Sequence, residues 1–86
     1  MDERALKRLR KLEQNPKSAT PKEVAAALQA FGYELARQKG SHQTFTKTGE
    51  FPVVVPIHRP HIKAVYVKKV IQRLRAQVEG PEEESR

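Results

Sequence analysis

The chain has 86 residues, no cysteine, and 17 Lys and Arg against 10 Asp and Glu, for a formal net charge of +7. A domain this small buries only roughly 60% of the surface its unfolded chain exposes, which leaves little stability for a deep, lidded pocket. The missing cysteines exclude disulfide frameworks, Cys-based zinc sites and thiol nucleophiles together.

Nothing in the sequence approaches the roughly 18 consecutive apolar residues of a membrane span. The opening segment, MDERALKRLRKLEQ, lacks the apolar core of a secretory leader, so a cytoplasmic, reducing location without membrane contact is expected. The charge is unevenly spread: residues 79–86, EGPEEESR, hold four acids and one base, so the first 78 residues carry 16 bases and 6 acids. A surplus of that density favours a polyanionic partner, with nucleic-acid phosphates the commonest. A merely soluble basic surface, or one that binds an acidic protein, is the competing reading.

In chain order, Leu6, Leu9 and Leu12 recur at three-residue spacing among Arg4, Lys7, Arg8, Arg10 and Lys11. This pattern predicts a short basic helix over 2–14, within an N-terminal segment 1–16, stopped by Asn15 and Pro16. Its docking is open, because an isolated helix of that length is marginal in water. The segment TPKEVAAALQAFG predicts a helix from Pro21 to Phe31, with Thr20 as N-cap and Glu23 closing a capping box. Val24, Ala27, Leu28 and Phe31 form its apolar face, and Gly32 takes the left-handed C-terminal position.

Beyond Gly32 the period changes to alternation. Tyr33, Leu35 and Arg37 fall on one side of an extended run, with Glu34, Ala36 and Gln38 on the other. Gly40 and Ser41 supply a turn, 42–47 resumes as a strand, Gly49 marks a second turn, and VVVPIH is a third strand between prolines. A final helix from about Ala64 to Val78 carries the stripe Val67, Val70, Ile71, Leu74 and Val78, flanked by Lys68, Lys69, Arg73 and Arg75. The expected fold is α+β, in the α-β-β-β-α order of double-stranded RNA-binding domains. A three-stranded antiparallel sheet has two helices on one face, preceded by a short N-terminal helix. The folded domain is expected over 17–79, with 80–86 an acidic disordered tail.

The segment RQKGSHQTF concentrates chemistry. Gly40 allows close backbone approach, Ser41 offers a hydroxyl and Lys39 a point charge to a phosphate oxygen, and His42 is the side chain suited to proton exchange near neutral pH. Phe45, three residues on, alternates onto the face opposite Thr44 and reads as core rather than as a base-stacking platform. In RNA, a base that removes the 2′-hydroxyl proton makes the substrate its own nucleophile, with no metal or other cofactor required. His58 and His61, in HRPH, have a spacing compatible with a metal, but no third ligand is evident and no metal site is expected. His58 is instead a candidate general acid for the leaving 5′-oxygen.

TPKEVAAALQAFGYELARQKGSHQTF, VVVPIH and IKAVYVKKVIQRL together resemble the HicA family of toxin mRNA interferases from HicA and HicB toxin–antitoxin modules. The likeness runs from about Thr20 to Gln77, and its most specific piece is Gly40, Ser41 and His42 followed by Phe45. The resemblance implies a metal-independent endoribonuclease that cleaves mRNA and arrests growth, with His42 catalytic. It also implies neutralisation by a HicB-type antitoxin. RNA contacts are expected from Lys39, Gly40 and Ser41 on the chemistry of the turn, and from Lys68 and Lys69 because double-stranded RNA-binding folds, which this topology resembles, set lysines at the start of that helix against phosphates. Many relatives place a second histidine directly after the first, where this chain has Gln43. A non-catalytic RNA-binding module and an adaptor for an acidic protein remain the alternatives.

Overall fold

The computed structural model describes residues 2–79, so the acidic segment 80–86 lies outside the described residues. Three helices and three strands follow in the order α1 (Glu3–Gln14), α2 (Pro21–Ala30), β1 (Glu34–Lys39), β2 (His42–Thr46), β3 (Val53–Pro56) and α3 (Ala64–Glu79), with a 3₁₀ turn at Pro16–Ser18. The strands form one antiparallel sheet in the order β1-β2-β3, so the chain is α+β in the α-β-β-β-α order with an added N-terminal helix.

α2 is bounded as its sequence dictates. The Thr20 hydroxyl accepts from the Glu23 amide at 3.1 Å while the Glu23 carboxylate accepts from the Thr20 amide at 3.0 Å, closing the capping box. That backbone donor, more than any other influence, holds the Glu23 carboxyl below its ordinary pKa. At the other end Gly32 has φ +94°. The amides of Gly32 and Tyr33 reach back to the Gln29 and Leu28 carbonyls, both at 3.0 Å. These two bonds are the pairings of a Schellman motif, and Phe31 becomes the cap rather than the last helical residue.

One apolar core joins every layer. Phe45, Val53 and Val55 from the sheet meet Val24, Ala27 and Leu28 of α2 and Val67, Val70 and Leu74 of α3. α1 docks rather than projecting: Ala5, Leu9 and Leu12 are fully buried in the same cluster, whereas Leu6 is only half-buried. A fork of hydrogen bonds from Arg75 to Glu13, at 2.7 to 3.0 Å, ties α1 to α3. The Glu13 carboxylate raises the Arg75 pKa above its ordinary value.

A second tie crosses the far end of the sheet. Lys47 donates to Gln77 at 2.8 Å, and Gln77 donates to the hydroxyl of buried Tyr33 at 2.7 Å. Arg73 donates to the Phe51 carbonyl at 2.6 Å, joining α3 to the β2–β3 turn. Arg73 and Arg75, which flank the apolar stripe of α3, are therefore engaged in tertiary contacts.

Because Leu9 fills the seam that α1 makes with the rest of the core, Leu9→Ala is expected to lower the unfolding free energy by about 2–5 kcal/mol. Urea denaturation followed by circular dichroism measures it.

Candidate functional site

β1 and β2 form a hairpin whose closing pair is Lys39 opposite His42, leaving Gly40 and Ser41 as a two-residue loop. Among the described residues only glycines have positive φ, so in this loop Gly40 (φ +57°) is left-handed and Ser41 is not. That is the pattern of a type II′ turn, whose twist matches the strands it joins. The Ser41 carbonyl accepts from the Ile57 amide just beyond β3, which locks the turn to the third strand.

Register then sorts the side chains. His42 is paired with Lys39 on one side and Pro56 on the other, and Thr44 is paired with Arg37 and Val54. Paired residues share a face and residues two apart along a strand share it too, so these two rows lie together on one side. The opposite side holds Phe45 with Val53 and Val55, all buried beneath the helices. His42 therefore stands on the open face of the sheet, and it is exposed, as are Lys39, Gly40 and Ser41.

Arg37 joins this face through a β-bulge. The register shifts between Leu35 and Arg37, so that Leu35 lies opposite Phe45 and Arg37 opposite Thr44. Strict alternation groups Tyr33, Leu35 and Arg37 on one side. The extra residue at Ala36 breaks that grouping and turns Arg37 to the side of His42. A charged residue continuing an apolar side was the available sign of such a break.

Gln43 points away from this face and donates from its side chain to Gln38 at 3.2 Å, a cross-strand tie. A side chain at position 43 is therefore on the other side of the strand from His42. Lys68 and Lys69 lie exposed on the first turns of α3, with the Lys69 ammonium 6.0 Å from the Tyr66 ring centroid. Gln77, near the end of α3, meets Lys47 and Tyr33 at the far end of the sheet, and the Ile62 amide, just before α3, donates to the Ala19 carbonyl ahead of α2, so the start of α3 lies toward the hairpin-loop end of the molecule. Phe45 is core, 1% exposed.

His58 lies in the loop between β3 and α3, its Nδ1 3.1 Å from the His61 carbonyl oxygen. A carbonyl only accepts, so Nδ1 is the donor in this contact. Among the described residues, no three His, Cys, Asp or Glu side chains gather where they could hold a metal ion, and no helix is long and apolar enough to cross a membrane.

A Cβ added at Gly40 would meet nothing within 4 Å, so the constraint there is conformational rather than steric crowding. Gly40→Ala is accordingly expected to cost about 1–2 kcal/mol through the left-handed backbone alone. Chemical denaturation measures the loss, and an unchanged midpoint would contradict the turn geometry.

Residues 21–76 match the family described as HicA toxin of bacterial toxin–antitoxin. Comparison with curated proteins and with solved structures finds no significant match.

Proposed function

The chain belongs to the HicA toxin family, and we propose that it is a metal-independent endoribonuclease that cleaves mRNA in the cytoplasm, with His42 as its proton-transfer residue. The observation that carries this reading is the exposed imidazole of His42 on the open sheet face, beside Lys39 and just past the Gly40–Ser41 turn. A shallow, solvent-facing base suits a bulky polymer that no enclosed pocket in so small a domain could admit.

The His42 imidazole takes the proton of a ribose 2′-hydroxyl. The freed 2′-oxygen attacks the adjacent phosphorus, the bond from phosphorus to the 5′-oxygen breaks, and that oxygen collects a proton. A 2′,3′-cyclic phosphate and a 5′-hydroxyl end result. His58 is the candidate donor: with Nδ1–H bonded to the His61 carbonyl, Nε2 is the nitrogen left to exchange a proton, and the imidazolium form gives that proton to the leaving oxygen. A positioned general base contributes about 10²- to 10⁴-fold, and here nucleophile and electrophile arrive already joined.

Lys39 is assigned to a phosphate near the scissile bond, and Gly40 and Ser41 present their turn to the backbone. Lys68 and Lys69, exposed at the same end of the molecule, hold flanking phosphates. The partner in the module is a HicB-type antitoxin that neutralises the toxin by covering the His42 face.

His42→Ala is expected to abolish cleavage of single-stranded RNA and to relieve growth arrest. Thermal stability should stay nearly unchanged, because the ring is exposed. Gel analysis of end-labelled RNA with parallel melting curves checks this, and full toxicity of the variant would overturn the assignment. RNA that is bound yet left intact by the unaltered protein would instead favour a non-catalytic RNA-binding module. Neutralising Lys68 and Lys69 to Gln is expected to flatten the slope of log affinity against log salt by about 0.7 for each phosphate no longer neutralised. Fluorescence anisotropy over a salt series measures it.

A further inference from the structure

Most of the cations whose side chains take part in tertiary contacts lie on the helix side of the sheet or at its far end. Lys11 pairs with Glu23, Arg75 with Glu13, Arg73 binds the Phe51 carbonyl and Lys47 binds Gln77. Arg37 and Lys39 differ. Among the described residues neither takes part in an ion pair or a side-chain hydrogen bond, and both are exposed on the face that carries His42.

Arg37 sits opposite Thr44, two residues along β2 from His42. Such diagonal neighbours lie about 7–8 Å apart across a sheet, within reach of a long side chain. Lys39 is directly opposite His42. On the other flank the same two rows end in Pro56 and in Val54, which is 52% exposed although β-branched and apolar. The face thus reads across as a cationic column, a column of His42 and Thr44, and an apolar column. The acid on β1, Glu34, is paired with Thr46, one row further from His42 than Arg37.

Resting on the endoribonuclease reading, we propose that this sheet face is the seat of a single RNA strand and that Arg37 is its anion clamp. The guanidinium holds the non-bridging oxygens of the phosphate attacked by the 2′-oxygen, while Val54 and Pro56 support the flat face of an adjacent base. In the transition state the phosphorus carries five oxygens and an added negative charge. A planar fork of N–H donors binds two of those oxygens at once, which the point charge of Lys39 does not do. Lys39, about 7 Å further along the strand, takes the neighbouring phosphate. A flat, open platform suits splayed bases of a single strand rather than the grooves of a duplex.

The test separates binding from chemistry. A single-stranded oligomer of the same sequence with 2′-deoxyribose throughout cannot be cleaved by this route, and its affinity is measured by anisotropy over a potassium chloride series. Arg37→Gln is expected to reduce the salt slope by about 0.7, the signature of one phosphate left without its cation. On the all-ribose oligomer the same variant is expected to lose roughly 10²-fold in kcat. Arg37→Lys should restore the salt slope without restoring kcat, a split that a structural role would not produce. Wild-type slope and wild-type kcat for Arg37→Gln would overturn the proposal. So would binding of an oligoglutamate peptide that depends on Arg37 while RNA binding does not. If the unaltered protein cleaves no RNA, the endoribonuclease reading fails, and the deoxy oligomer still decides whether Arg37 contacts a phosphate strand.

Discussion

Apolar packing from one side only is the constraint on which the rest of this molecule depends. Three strands present two faces, and the chain has enough helical apolar surface to cover one of them. Val24, Leu28, Val67, Val70 and Leu74 meet Phe45, Val53 and Val55 on that face, and the sheet's period of two sends His42 and Thr44 to the other. The exposure of the histidine follows from the burial of the phenylalanine three residues later. Reversing one reverses both, because a slip of one residue exchanges the faces of a strand.

On that arrangement, electrostatics divides the basic residues by task. α1 lies outside the span matched to the family, yet its Ala5, Leu9 and Leu12 belong to the common core and its Glu13 takes up Arg75. Folding consumes those cations whose side chains find an acid or a carbonyl. What remains for a polyanion is set by where acids are absent, and the hairpin end of the sheet has cations without them. Net charge alone would have assigned every lysine and arginine to the same role.

Local chemistry made much of the fold readable. Thr20, Glu23 and Gly32 mark α2 through bonds made within a few residues, and the stripe from Val67 to Val78 needs only the helical period. The Gly40–Ser41 turn and the core role of Phe45 follow equally from short-range rules. The docking of α1 did not, because Glu13 and Arg75 are 62 residues apart and no local pattern links them. Nor did the bulge: an inserted residue changes the phase of a strand without changing its composition, so alternation carried Arg37 to the wrong side.

The same bulge shapes how the molecule meets its own kind. β1 is an edge strand, and an uninterrupted edge is a template on which another chain can build. The shift at Ala36 leaves two residues in register before it and three after it, so neither stretch offers a ladder long enough to recruit a foreign strand. A sheet left bare on one face is thereby guarded along its β1 rim against propagating from copy to copy.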